Sequence, residues 1–596
     1  MNIMAGEIIC KISLETIVKT KSLDITESAT PCRYRLLSCN DFIEHKQVTV
    51  LEFDDFPQVP YTALSYVWKG NTLDADCADP VFNVPVPEGQ EPGDDIGVEV
   101  LRETCVASTA RGINHLWIDR LCVMQMSKED KKWQIPRMHD IYRRCQICIV
   151  APGGLQRLVR LDEVTQWIHR GWTLQEAVAP PAVFVLFSWR SGSRRAHAGD
   201  TQGNIDEVTP ARSATTPLSL IIDACTAGML SIENGEKRLM LEVKLFSSHP
   251  ADRSYRDFPF WNVTRRILSP NVGALARIMS PDLDRDMKDY SIWQSALMRT
   301  SSRPVDMVFS IMGLFGVTLD TSQFGKNDRV QATIALAQAI MEKGGQATWL
   351  AAAFRVQPSR QISTFPIFPR TSVSGKAYVK VSDEKGMQEV SLLIENDYPV
   401  ADALVPLPKG SMDQDGYLKF SSKAIPIRPH LSDPAETSPD SARPTYFQAV
   451  NQSWWEVEED NIVNMQGETF AVLIGFFVGY YPGSTPAVND NTIRAAVIKK
   501  HAVDRFHVQT YLGLSHKARA WVRTWPERIF CVGGPEVDAV EDLGEELPVI
   551  SNPKEQYLNN PQSSQPSGVV PLEDMLSRRA RWAMSQKVLE QHVKPR

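Results

Sequence analysis

Between Tyr61 and Phe187 four short apolar runs alternate with segments of helical spacing, and few architectures accommodate that order. The runs are Tyr61–Trp68, Leu116–Ile118, Ile147–Val150 and Val183–Phe187. Their residues are apolar at successive positions, so both faces need cover, as in the central strands of a parallel sheet. Between them, Val98–Ala110 carries Leu101, Cys105 and Ser108 at helical spacing, with Gly112 placed to end the helix. Ser127, three residues before Asp130, reads as a second helix start. Met138, Ile141, Tyr142 and Cys145 then share one apolar helix face, and Pro136 divides that segment in two. A further short helix is expected around Leu158–Ile168. Strand–helix alternation of this kind is the pattern of a small parallel α/β sheet.

The second run stops on a carboxylate, Asp119, and turns at once into a polar helix entry. Open α/β sheets bind ligands just beyond the carboxyl ends of their strands, so a carboxylate there is a candidate site residue. Tyr61–Trp68 and Arg170–Glu176 (sequence RGWTLQE) are the other polar-ended segments. The three together read as one site assembled from separate loops.

At 596 residues the chain needs more than one core. Residues 1–56 read as an N-terminal lead-in, 57–190 as the α/β domain, and 191–217 as a linker or insertion. The last of these is rich in Ser, Gly, Thr and charge with little apolar periodicity. Residues 218–355 read as mainly helical, with Asp328 placed to cap a helix that ends at Gly344-Gly345. Residues 356–535 read as β-rich, with strands over Phe470–Tyr481 and Val508–Leu512. Residues 536–596 read as a flexible tail with a terminal helix over Leu572–Val593.

A net charge of -7 gives no reason to expect nucleic acid as a partner. The ten cysteines are sparse and several lie in apolar runs, which suits reduced thiols in a cytoplasmic protein. No secretory signal and no run long enough to span a bilayer are visible. Cys145-x-x-Cys148 lacks a second ligand pair, so no metal site is expected. There is also no P-loop, G-x-G-x-x-G or G-x-S-x-G motif, which weakens ATPase, dehydrogenase and serine-hydrolase readings.

Tyr61–Trp68 (YTALSYVW) resembles the Y-x-A-L-S-Y-x-W opening of the fungal heterokaryon incompatibility (HET) domain. Leu116–Gln125 (LWIDRLCVMQ) resembles its L-W-I-D-x-L-C-I-N-Q centre, and Gln134, Met138 and Tyr142 match the following helix. Arg170–Glu176 resembles its R-G-W-T-L-Q-E block. A weaker likeness to a segment found after this domain covers Arg299–Asp306 and Ile311–Phe315. The chain departs from the pattern at Met124, where Asn is usual, at Arg120, where a small residue is common, and at Lys69.

The resemblance implies non-self recognition and regulated cell-death signalling in a fungus, through protein partners or self-association. It also implies a TIR-like, flavodoxin-like three-layer α/β fold, whose active members cleave NAD. By that likeness Glu176 is the catalytic carboxylate, with NAD as substrate and no cofactor required. Cleavage of the nicotinamide–ribose bond passes through an oxocarbenium-like state, which a fixed carboxylate stabilises. Ser65, Trp68, Asp119 and Trp172 are the candidate binding residues, the tryptophans by stacking and Asp119 through ribose hydroxyls.

Structural readings stand beside these. Thr173-x-x-Glu176 is also a capping box, Asp119 also a turn cap, and Ser65 a strand hydroxyl bonded to backbone. Trp172 fits a core position, and Met124 favours a catalytically inactive scaffold. Three functions therefore remain open: cell-death signalling, NAD hydrolysis and partner binding alone.

Overall fold

The computed structural model describes residues 6–536 except 74–78, 200, 228, 236, 247–269, 383–385, 396, 401–406, 432, 435–440, 460–467 and 480–491. The tail and the terminal helix expected over Leu572–Val593 lie outside the described residues.

Strands β1 (Glu7–Ser13), β2 (Tyr34–Ser38), β3 (Gln47–Phe53) and β4 (Thr62–Tyr66) open the chain, with helices α1 (Leu14–Thr20) and α2 (Cys39–Glu44) between the first three. A small hairpin, β5 (Val81–Phe82) with β6 (Ile96–Gly97), leads into α3 (Val98–Thr109). Then follow β7 (His115–Trp117), α4 (Asp119–Cys122), α5 (Lys128–Gln134), α6 (Met138–Arg144) and β8 (Ile147–Ala151). The domain continues with α7 (Thr173–Val178), β9 (Val183–Ser188), β10 (Arg194–Ala198), β11 (Thr201–Thr209) and β12 (Ser213–Pro217). After a further helix (Leu218–Ala227), β13 (Met229–Asn234) and β14 (Lys237–Glu242) form a hairpin.

Twelve of these strands form one sheet in the order β1-β3-β2-β7-β4-β8-β9-β12-β11-β10-β13-β14. Its centre, β7-β4-β8-β9, is parallel, and antiparallel wings flank it on both sides. Every residue of β4 and β8 is buried, as their unbroken apolar runs require. The pleat divides the sheet between two cores. Val150, Val185 and Phe187 face a core shared with the helical and C-terminal regions, whereas Ile149 and Leu186 face one shared with α3 and the N-terminal strands.

Local signals explain the boundaries. The Ser127 hydroxyl accepts from the Asp130 N–H at 3.1 Å, and Gly112 turns at φ +74° after α3. Pro136 lies in a single 3₁₀ turn, Ile135–Arg137, that separates α5 from α6.

Other expectations are corrected. The segment 191–217 is not a linker, since β10, β11 and β12 carry the sheet outward from β9. Its strands escape notice because one face meets solvent; in β11 only Ile205 is buried. The lead-in 1–56 likewise builds the opposite wing. Instead of a helix over Leu158–Ile168 there is one 3₁₀ turn, Trp167–His169. Asp328 precedes its helix but does not cap it, because its carboxylate accepts from Gly325 N–H at 2.7 Å.

Beyond β14, helices Pro270–Met279, Arg285–Leu297, Asp306–Met312 and Arg329–Glu342 pack on the first core. The region 356–535 is β-rich. Long strands Tyr417–His430, Thr469–Gly479, Thr492–Ala502 and Arg505–Ser515 carry a second large, mostly antiparallel sheet. The molecule is therefore mixed α/β with two large sheets.

Candidate functional site

In chain order the parallel strands run second, first, third, fourth across the sheet, so the connections diverge between β4 and β8. That divergence is where an open sheet leaves a crevice for a ligand. Here the crevice is filled. The loop after β4 meets the loop after β8 backbone to backbone, with Asn71 N–H donating to the Gly153 carbonyl at 2.7 Å. A side chain at Gly70 would collide with that carbonyl, so the approach needs glycine.

Two carboxyl groups stand at this strand end. Glu176, on α7, is 6% exposed and accepts from the fully buried Ser65 hydroxyl at 2.6 Å. Ser65 in turn accepts from the Trp167 indole N–H at 2.8 Å. Ser65 is therefore bonded to side chains, not to backbone. Burial pushes the Glu176 carboxyl up to about 8; the Ser65 hydrogen bond opposes this, the Asp119 charge adds to it, and Arg170 and Arg299 resist it. Near neutral pH the group is mostly a carboxylic acid.

Asp119 is held differently. Its oxygens accept from the Tyr66 hydroxyl and, at 2.9 Å, from the Trp68 indole N–H. Burial raises its pKa, while Tyr66, Trp68 and Arg120 pull it back. The Arg120 guanidinium lies 5.7 Å from the Trp68 ring centre and donates to the Asp94 carbonyl at 2.6 Å. Asp94 closes the corner, accepting from Gly70 N–H at 2.8 Å while its own N–H reaches the Trp68 carbonyl at 2.7 Å.

Four of the five candidate residues thus meet as two bonded pairs, Ser65–Glu176 and Trp68–Asp119. Trp172 turns elsewhere. It packs on the core shared with the helical region, where its indole helps restrain Asp306, a carboxyl that burial lifts to about 6. The capping-box reading of Thr173 and Glu176 is overturned. The Thr173 hydroxyl donates to the Trp167 and Arg170 carbonyls at 2.7 and 2.8 Å, and Glu176 bonds Ser65. Met124 is buried in the second core, with its N–H on Asp130, and is no part of this cluster.

The helical region holds the α7 entry. Buried Arg299 donates to the Arg170 carbonyl and to the Thr173 hydroxyl, each at 2.8 Å. Thr300 pairs across residues 169–171, its N–H on the His169 carbonyl at 2.7 Å and its carbonyl on Gly171 N–H at 2.9 Å. Arg170 reaches the Val373 carbonyl at 2.6 Å. Neither guanidinium group near Glu176 hydrogen-bonds it: their bonds go to neutral oxygens, Arg299 Nη2 has no hydrogen-bond partner among the described residues, and both act on the acid through charge alone. Tyr66, Arg170 and Arg299 lie inside quoted motifs, but nothing in the sequence singled them out. Trp167 carried no signal, because an indole in an apolar stretch reads as core.

Each of the nine described cysteines is a free thiol. Among the described residues no cluster of three His, Cys, Asp or Glu side chains is arranged to hold a metal, and no helix is long and apolar enough to cross a membrane.

No curated protein and no solved structure matches the chain. A family model described as "Heterokaryon incompatibility protein (HET)" matches residues 61–163, which takes in Ser65, Trp68 and Asp119 and stops before Trp172 and Glu176. That span holds three of the four parallel strands and the helices between them, so residues 61–163 carry a heterokaryon incompatibility domain.

Proposed function

We propose that this protein acts in fungal non-self recognition and regulated cell-death signalling, and that its α/β domain signals through protein partners or self-association. What carries this reading beyond the family match is the closure of the strand-end corner. Ser65, Glu176, Trp68 and Asp119 satisfy one another, loops fill the crevice, and the helical region clamps residues 169–173. Such a domain rests in an off state that a partner or a second copy must open. A cytoplasmic location fits its unpaired thiols.

A second reading, NAD hydrolysis by the opened domain, is favoured by one observation: Glu176 and Ser65 form a buried acid–hydroxyl pair at the strand end. In that reaction the C–N bond between ribose and nicotinamide breaks and nicotinamide leaves with the electron pair. Water adds to the ribose carbon and a proton is released. An ionised Glu176 would stabilise the positive ribose, so opening must first hydrate the carboxyl and return its pKa toward the ordinary range.

The test expresses the full chain in fungal cells, with and without forced clustering, beside a Glu176→Gln variant. Clustering-dependent death in both proteins without NAD loss supports signalling by association. Death with nicotinamide release in the parent and neither in Glu176→Gln supports hydrolysis. No clustering-dependent death in either sinks the signalling role.

A further inference from the structure

A cleft of about 320 Å³ lies between the α5–α6 side of the α/β domain and the helical region. One wall is polar, with His139, Asp140, Arg143 and Gln175; the other includes Phe309 and Met312. Gln175 sits on α7 beside Glu176 and is 1% exposed, yet its amide nitrogen has no hydrogen-bond partner among the described residues. A buried amide left unpaired is costly, and in a cleft it marks a place where a ligand supplies the missing bond. The Gln side chain offers a donor and an acceptor side by side, so it matches a ligand edge carrying the reciprocal pair.

Charge narrows the choice. Arg143 and Asp140 pair at 2.9 Å on the rim and cancel one another, so nothing recruits a strong ion. Burial depresses the His139 pKa, leaving the imidazole uncharged near neutral pH. The ring lies against Gly313, where any Cβ would collide with it. Size narrows it further, since a volume in this range admits a nucleoside-sized molecule and leaves a lone amide fragment mostly surrounded by water.

We propose that this cleft binds an uncharged nucleoside or nucleobase, with its donor–acceptor edge on the Gln175 amide and its ring against Phe309 and Met312. The two walls belong to different regions of the chain, so a bound molecule tightens the same docking that holds α7. The site does not depend on whether Glu176 is catalytic.

The experiment titrates the full chain with adenosine by calorimetry and follows its thermal unfolding, with adenosine 5′-monophosphate as the charged comparator. Saturable adenosine binding with a rise in Tm is expected, with no gain in affinity from the phosphate. Thr318→Trp, at the exposed mouth, blocks the cleft without disturbing a core, and should abolish binding. Gln175→Met, which keeps the side-chain volume and removes the amide, should weaken binding by about tenfold or more. Absence of saturable adenosine binding overturns the proposal, as does unchanged binding in Thr318→Trp. Unchanged binding in a folded Gln175→Met overturns the assigned recognition edge, and tenfold tighter binding of the monophosphate overturns the choice of an uncharged ligand.

Discussion

Two of the places where the α/β domain buries carboxyl groups treat them in opposite ways. In the N-terminal wing, Arg35 donates to Glu52 at 2.9 Å and to Asp130 at 3.1 Å. The other Asp130 oxygen accepts from Cys32 N–H at 2.7 Å. Both carboxylates there face a cation, and the network ties β2 and β3 to α5. Around Glu176 the cations are also present, but Arg170 and Arg299 donate to carbonyls and to a hydroxyl. The acid keeps only a neutral partner, Ser65. A buried charge that is hydrogen-bonded to its cation builds structure; a buried acid that neighbouring cations reach only through charge is a group waiting for a different environment.

Removing Arg35 gives the largest expected effect. Arg35→Ala strands two buried carboxylates and should cost about 3–5 kcal/mol, read as a lowered denaturant midpoint. An unchanged midpoint would erase the contrast between the two sites. Arg299→Leu removes hydrogen bonds from a charged donor to the Arg170 carbonyl and the Thr173 hydroxyl, a loss of about 2–3 kcal/mol. Hydrogen exchange should speed up at residues 169–178 and leave β2 and β3 protected. Uniform acceleration across the domain would mean that no local clamp exists.

Glu176→Gln tests the acid through pH. A carboxyl raised from its ordinary 4.5 to about 8 in the folded state favours folding fully below pH 4.5, and that advantage is lost as pH rises toward 8. The parent should therefore lose stability across this window while the variant stays flatter, the difference reaching on the order of 4 kcal/mol at pH 8. Parallel pH profiles would show that Glu176 is ionised in the folded protein. The smallest effect is expected from Trp68→Phe, which keeps an aromatic ring and loses the bond to Asp119, at about 1 kcal/mol. Unfolding by intrinsic fluorescence and circular dichroism measures it, and a loss above that of Arg299→Leu would make the Asp119 corner the stronger of the two.

The sheet centre was legible because its strands are buried on both faces and so write continuous apolar runs. The wings were not, since a strand with one solvated face, such as Thr201–Thr209, reads as polar loop. Ser65, Trp68, Asp119 and Glu176 were legible as polar residues at strand ends and motif ends. That Ser65 would bond Glu176 was not, because the two are 111 residues apart and no local spacing links them. Trp172 was misplaced for a related reason. Just before a six-residue helix, which way a tryptophan turns depends on what packs against it, and here that is the helical region.

By itself, then, the sequence determined the class of the central sheet, the helix ends at Gly112 and Ser127 and the break at Pro136, and the heterokaryon incompatibility motifs. Each of these follows from local propensity, burial pattern or residue order. Only the tertiary structure decided that the crevice is filled, that the cations near Glu176 serve carbonyls, and that Gln175 is left unpaired in a cleft. Those outcomes depend on which distant groups share a low-dielectric space, and neither the charge of a side chain nor the satisfaction of its hydrogen bonds is defined until that space is closed.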